Sequence, residues 1–347
     1  MRISVDIGFG YTKAVSEAGR EVTFPSVVGR KFASSLEGIL GGNQEDYIVT
    51  LSYPDKPDED AQSYYVGDAA MTAGGNRTWE EEHAKNRNLD VLISTAMGLL
   101  NEKDDEPVQL AVGLPMSVFV AQQNEIKRRL TGLNITCVIG KKTKELQVES
   151  VFVFPQGAGV YYAALHDIDG GIKNMELVNK QVAVIDVGYR TTDFLFMVKG
   201  KKGLIPRPEP FSGSEDIGMN TAHTEIQTAT LKPLKGQQAD ILDIEKALLW
   251  HNGMMPIKGG ELDLKPYRAK AYEALANEIS SRLKRRWGDD INTLSAIIIG
   301  GGGGDALYSH FESSFPAAMK IEKPEYANAR GYLAAQALVM KEMKGRG

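Results

Sequence analysis

Asp6-Ile7-Gly8 and Asp186-Val187-Gly188 are one turn written twice in a chain of 347 residues, and each joins an apolar strand to a Thr-bearing one. The first copy runs Ile3-Ser4-Val5-Asp6-Ile7-Gly8-Phe9-Gly10-Tyr11-Thr12-Lys13. The second runs Val182-Ala183-Val184-Ile185-Asp186-Val187-Gly188-Tyr189-Arg190-Thr191-Thr192-Asp193. A strand, a tight turn and a return strand recur half a chain apart. Each turn alone has a local explanation, because Asp and Gly dominate hairpin turns. The alternative is a phosphate site, in which glycine reaches positive φ and lets backbone N–H groups approach an anion. Two carboxylates facing each other across a cleft would then need a hard cation such as Mg²⁺ between them, itself bridged by phosphate oxygens.

Three further features favour the phosphate reading. Lys13 follows Asp6 on the outgoing strand, where its ammonium could reach back over the turn. Phe154-Pro155-Gln156-Gly157-Ala158-Gly159 ends a strand and opens a helix shortly before the second turn. Ala296-Ile297-Ile298-Ile299-Gly300-Gly301-Gly302-Gly303-Gly304-Asp305 is a buried-looking strand that empties into five glycines. Other phosphate signatures do not fit. No Gly-x-x-x-x-Gly-Lys-Ser/Thr occurs, which excludes a P-loop. Gly8-Phe9-Gly10 continues as a strand through Thr12 and Val15 rather than opening a helix, which disfavours a Rossmann fingerprint. After the glycine run, an acidic ribose partner would have to be Glu322 or Glu325, where no further strand is evident.

The order of these motifs resembles that of the actin, Hsp70 and sugar-kinase superfamily: phosphate turn, Gln or Glu at a helix start, second phosphate turn, glycine-rich adenosine turn. Tyr65-Val66-Gly67-Asp68-Ala69-Ala70 is similar to a stretch of actin's small domain. Phe24-Pro25-Ser26, Tyr326-Ala327-Asn328-Ala329-Arg330-Gly331-Tyr332 and the overall length look most like the ParM/StbA type of plasmid-segregation actin and its archaeal cousins. The resemblance implies an α/β, two-domain actin-like (ribonuclease-H-like) fold with a nucleotide cleft between the domains. Domain I is expected over 1–166 plus 322–347, with a small inserted subdomain at about 31–88. Domain II is expected over 167–321, with an insertion at about 207–275.

It also implies roles. Gly8, Phe9, Gly10, Tyr11 and Thr12 would hold one side of the phosphate tail, and Gly188, Tyr189, Arg190 and Thr191 the other. Lys13 would neutralise phosphate charge, and Asp6 and Asp186 would hold Mg²⁺ through its waters. Gly300, Gly301 and Gly302 would receive adenine and ribose. Gln156 would orient the attacking water; many ParM-type relatives carry Glu there and actin carries Gln, which points to slow, actin-like hydrolysis. Its structural alternative is a helix-start residue after Pro155. Arg190 departs from the Gly or Thr usual in relatives, and could add charge near the phosphates or point outward into a salt bridge.

The implied function is an actin-like ATPase, or GTPase, since both nucleotides share their phosphates. It would polymerise head-to-tail and move plasmid DNA through a DNA-binding adaptor on a centromere-like site. A small-molecule kinase of the same superfamily and a chromosomal cytoskeletal actin are the alternatives. A kinase would need a base for its substrate hydroxyl, and no clear candidate is present.

Composition agrees. With 40 basic and 45 acidic residues the net charge is −5, which argues against direct nucleic-acid binding. The one cysteine, Cys137, reads as a packed thiol in an alternating strand and is compatible with a reducing cytoplasm. The five histidines lack metal-ligand spacing. No apolar stretch approaches 18 residues, so a cytoplasmic protein without membrane contact is expected.

Apolar periodicity places helices at 89–100, 122–130, 157–166, 219–228, 266–287 and 332–343, and strands at 108–112, 148–154 and 192–198, besides the three around the first turn. Ser214 reads as the N-cap of the 219–228 helix. Lys284-Arg285-Arg286 reads as a solvated face or a contact between protomers, and the C-terminal helix as packed on the first domain.

Overall fold

A computed structural model describes residues 1–31, 48–56, 58–77, 87–102, 106–201 and 203–345. The chain forms two compact units, Met1–Val178 with Glu325–Gly347, and Asn179–Pro324. The Gly41-Gly42-Asn43 turn and much of the inserted subdomain at 31–88 lie outside the described residues.

The first unit is organised by strand β1, Arg2–Ile7, which is buried on both faces and lies between β2 and β8 in the sheet. It pairs antiparallel with β2 (Tyr11–Ser16), which continues into β3 (Glu21–Pro25). β4 (Val27–Arg30), β5 (Ile48–Ser52), β6 (Gln62–Val66), helix α1 (Asp68–Thr72) and the two-residue β7 (Asn76–Arg77) follow. Helix α2 (Arg87–Leu100) is buried along most of its length. β8 (Val108–Leu114) lies parallel to β1, then come α3 (Met116–Leu130), β9 (Asn134–Ile139), β10 (Lys142–Pro155) and α4 (Ala158–Leu165). The strand order is β3-β2-β1-β8-β10-β9-β5-β6-β4-β7.

Two elements are longer than their periodicity indicates. β10 starts at Lys142 because its first half is the return arm of a hairpin with β9, and its second half lies parallel to β8 after a register shift at Val148–Ser150. α3 starts at Met116, directly after Pro115, and its N-terminal third carries the exposed Val120 in place of the polar rhythm that marks a surface helix.

Cys137 on β9 is buried, with its Sγ 3.7 Å from the Ser94 carbonyl, and burial pushes the thiol up to about 12. The packed-thiol expectation therefore holds. The C-terminal helix, Ala327–Lys344, packs on α4, β1, β8 and β2, as expected of it. Among the described residues no helix is long and apolar enough to cross a membrane.

The second unit repeats the opening. β11 (Val182–Val187) is wholly buried, pairs antiparallel with β12 (Thr192–Gly200), and is followed by β13 (Gly203–Pro206) and β14 (Gly213–Glu215). Helices α5 (Met219–Ala229) and α6 (Ile241–Trp250), the hairpin β15 (Met254–Ile257) and β16 (Gly260–Asp263), and α7 (Lys265–Trp287) precede β17 (Ala296–Gly300), α8 (Gly304–Ser314) and β18 (Ala318–Lys320). β17 lies parallel to both β11 and β18. Trp287 is buried at the end of α7, donates its indole N–H to the Phe211 carbonyl at 2.9 Å, and meets Phe194 and Phe196 edge-on.

Three sequence expectations change here. Ser214 is not a helix cap. It pairs with Asp193 in a strand, and the cap position of α5 is Gly218. Arg286, expected on a solvated or intermolecular face, remains partly exposed but is tied down, with Arg282, by an ion pair to Glu215. Burial alone would raise the Glu215 carboxyl, but the two guanidinium groups outweigh it and hold it below its ordinary value. A short strand, β18, does precede Glu322.

Candidate functional site

The first turn leaves β1 at Ile7 and returns at Thr12, closed by the Gly8 amide donating to the Tyr11 carbonyl at 3.1 Å. Cross-strand register sets Lys13 directly opposite Asp6, so both side chains lie on one face. The Lys13 ammonium folds back over the turn, 3.5 Å from where a Cβ on Gly8 would stand. Asp6 is 5% exposed and Gln156, from the turn between β10 and α4, is 8% exposed. The Gln156 amide donates to the Asp6 carboxylate at 3.2 Å, bringing together residues 150 positions apart. With its NH₂ group so used, the Gln156 carbonyl oxygen remains as the acceptor that could take a water O–H. Burial pushes the Asp6 carboxyl upward, and the Lys13 charge and Gln156 hydrogen bond only partly counter it.

The back of this turn is held by donors. Arg77 on β7 donates to the Gly10 carbonyl at 2.8 Å and to that of Phe9 at 3.4 Å, and the Ser26 amide also donates to Gly10. In a planar trans peptide the N–H points opposite to the preceding C=O. Holding these carbonyls therefore directs the Gly10 and Tyr11 amides to the other side of the turn. Thr12 is fully buried, with its hydroxyl 2.9 Å from that of Ser26, so its side chain braces the turn from within.

The second unit builds the same device from different parts. Gly188 donates to the Thr191 carbonyl at 2.8 Å, the same three-residue closure as Gly8 to Tyr11. Here the back is held by the start of α5: the Met219 amide donates to Gly188 at 3.1 Å and the Asn220 amide to Tyr189 at 2.8 Å. The Tyr189 and Arg190 amides are thereby aimed away from the helix. A Cβ on Gly218 would stand 2.7 Å from the Tyr189 carbonyl, so this helix start approaches the turn only as glycine. The Arg190 guanidinium pairs with Asp216 at 3.1 Å, the salt bridge that was its alternative role. Thr191 is half-buried at the end of the turn.

Asp186 is 5% exposed, and register places Asp193 directly opposite it, also buried. Where the first unit sets a lysine across from its aspartate, the second sets another acid. Gly300 pairs with Asp186, and Gly301, at φ +84°, presses on the Asp186 carboxylate and the Val187 backbone so closely that no Cβ fits. The Gly303 amide donates to the Val187 carbonyl at 2.9 Å. Gly302 is exposed between them. The glycine run is thus seated on the second turn.

The glycines of the turns act by close approach rather than by the positive φ expected of them. Gly8, Gly10 and Gly188 do not have left-handed backbones, but a Cβ on Gly8 would stand 3.0 Å from the Tyr11 carbonyl, and on Gly188 2.9 Å from that of Thr191. Arg77 and Asn328 in the first unit and Asp193 in the second also adjoin these turns and were not site candidates from sequence. The repeat of Asp at the end of the motif could have flagged Asp193. Nothing local marks Arg77, and Asn328 lies in the 326–332 segment without a role of its own in sequence; both reach these turns only through tertiary contacts.

The donor set suits Mg²⁺. Among the described residues no cluster of three or more His, Cys, Asp or Glu could hold a metal unaided. A buried carboxylate such as Asp6, with its charge only partly compensated, suits a hard cation whose remaining ligands are water and phosphate.

Comparison with known proteins adds independent evidence. Residues 4–159 match a family described as the N-terminal domain of actin-like proteins, and residues 184–313 match the C-terminal domain of archaeal MreB-like actin homologues. An archaeal actin homologue of Thermoplasma acidophilum is 27% identical over 343 residues, 95% of this chain and 97% of that protein. A non-polymerisable quadruple mutant of the pCBH ParM superposes with a TM-score of 0.80 at 26% identity, covering 97% of this chain and 99% of its own. The ParM of a 15-stranded filament from Clostridium botulinum gives 0.78 at 25% identity, covering 96% and 99%. An archaeal actin homologue in complex with ADP shares the fold, with a TM-score of 0.74 at 21% identity over 96% and 98%.

Proposed function

We propose that this chain, which belongs to the actin-like superfamily, is a Mg²⁺-dependent nucleoside triphosphatase that assembles head-to-tail into filaments and uses slow hydrolysis to time their lifetime. The observation that carries this reading is the Asp6–Gln156 contact beside a lysine-covered turn whose amides are aimed outward. The matching turn at Gly188 supplies a second set of aimed amides beside Asp186.

The roles follow from the chemistry. Phosphoryl transfer to water needs positioning and charge neutralisation more than covalent help. Amides of the two turns bind phosphate oxygens, and Lys13 offsets their charge. Asp6 and Asp186 would hold Mg²⁺, which when bound would neutralise charge developing on the phosphates. Gln156, fixed through its NH₂ group, accepts a hydrogen bond from the attacking water and holds it in line. A neutral amide is a poor base, so turnover is slow, which suits a timer.

Association of one copy with the next through unlike surfaces gives an open filament. The ParM filament and the non-polymerisable ParM variant support assembly, and the ADP complex of the archaeal homologue supports nucleotide binding. Plasmid segregation through a DNA-bound adaptor is the cargo role implied by the resemblance of the sequence motifs to ParM/StbA-type actins, and the net charge of −5 suits an indirect contact with DNA.

Gln156→Ala tests the hydrolytic assignment. Phosphate release should slow by about ten- to a hundredfold, as expected when an attacking water loses its positioning group. Nucleotide binding and assembly should persist, and filaments should last longer. Loss of nucleotide affinity in this variant would assign Gln156 a structural role instead.

A further inference from the structure

We infer that Asn328, in the first turn of the C-terminal helix, is a positioning residue for hydrolysis that aims Gln156 at Asp6 without touching nucleotide. Its side-chain oxygen accepts the Gly157 amide at 3.1 Å, and Asn328 is 5% exposed. Gly157 follows Gln156 and has φ 80°, so the chain swings sharply where the glutamine side chain is launched. On the other side, the Gln156 backbone N–H donates to the Leu114 carbonyl at 2.8 Å. The glutamine is therefore clamped front and back, by β8 through its own amide and by the C-terminal helix through that of its neighbour.

The same turn of helix also fixes Asp6. Ser4 on β1, two residues before Asp6, donates its hydroxyl to the Ala329 carbonyl at 2.6 Å and is fully buried. Arg330 next to it bonds Glu21 at the start of β3 at 2.7 Å. Three consecutive residues, 328 to 330, thus tie the Gln156 turn, the Asp6 strand and the edge of the hairpin that carries Lys13. Close approach allows this: a Cβ on Gly159 would stand 2.7 Å from the Asn328 Cα and carbonyl oxygen, and Tyr332 stacks on Phe154 with ring centroids 5.8 Å apart. The C-terminal helix is a template for the geometry of the Asp6–Gln156 pair.

The inference rests on the hydrolytic role proposed above for Gln156, and the experiment separates the two. Single-turnover phosphate release and nucleotide dissociation constants would be measured with Mg²⁺-ATP and Mg²⁺-GTP for wild type, Gln156→Ala, Asn328→Ala and Asn328→Asp. Asn328→Ala should hydrolyse about tenfold more slowly or worse, because small misplacements of an orienting group carry large rate penalties. Its nucleotide affinity should stay within about threefold of wild type, since no phosphate contact is lost. Asn328→Asp keeps the acceptor for the Gly157 amide and should recover most of the rate. Wild-type hydrolysis in Asn328→Ala, a parallel loss of affinity and rate, or equal defects in both variants would overturn the inference alone. Wild type that releases no phosphate, or Gln156→Ala with an unchanged rate, would overturn the hydrolytic reading and this inference together.

Discussion

Gly331→Ala is expected to destabilise the first unit by about 2–4 kcal/mol, the range for severe overpacking. Helix propensity predicts the opposite sign, because alanine in a helix interior is favoured over glycine by about 1 kcal/mol. The reversal has a geometric cause. A Cβ on Gly331 would fall on the carbonyl group of Gly159, backbone against backbone, where no rotamer change can relieve it. The helix would have to move off α4, carrying Asn328 and Tyr332 with it. Because a chain of two units need not unfold in one step, amide exchange is the suitable measurement. Protection should fall in α4 and the C-terminal helix and persist in α7. Unchanged or increased protection in α4 would show that propensity governs the site.

Asp186→Ala is expected to reduce Mg²⁺-dependent phosphate release by about two to three orders of magnitude, the loss seen when a preorganised electrostatic group is removed from a transition state. The fold should survive. Replacing the aspartate removes a buried carboxyl group that stands opposite the buried Asp193, and the strand pairing of β11 with β12 and β17 does not depend on the side chain. Release rates at graded Mg²⁺ concentrations, with amide exchange of β11 as the control for folding, make the comparison. Turnover equal to wild type at every Mg²⁺ level would remove Asp186 from the metal site.

Much of this site was legible in the sequence because the duplicated turn is local. Asp6, Gly8, Asp186 and Gly188 sit at fixed offsets in short strands whose apolar runs identify them, and the structure closes both turns by the same glycine-to-carbonyl bond. Lys13 was legible for the same reason, since hairpin register brings it across from Asp6. Gln156 could be suspected from its place at a strand end, but its contact with Asp6 spans 150 residues and appears only in the folded chain. Gly8 and Gly188 make room for close backbone approach and do not twist the backbone left-handed, a property that sequence alone does not distinguish.

What remained hidden depends on partners distant in sequence. The polar segment from Gly213 pairs with Thr192–Phe194, so Ser214 is drawn into a strand despite its fitness as a cap. Arg286 reads as a surface residue by sequence, and its pairing with Glu215, alongside Arg282, is set by that same strand. α6 and the β15–β16 hairpin follow a polar stretch and bury only a few residues, so their periodicity is weak beside that of α7. Local chemistry specified the turns; long-range packing selected what braces them.

The proposed function requires nucleotide state to control assembly. Light scattering and pelleting of the purified protein with Mg²⁺ and ATP, GTP, ADP or no nucleotide, recorded together with phosphate release, test it most directly. Scattering should rise only with a nucleoside triphosphate, decay as phosphate appears, and identify the preferred base. Tight nucleotide binding with no assembly at any protein concentration would contradict the filament claim and direct attention to a small-molecule phosphate acceptor.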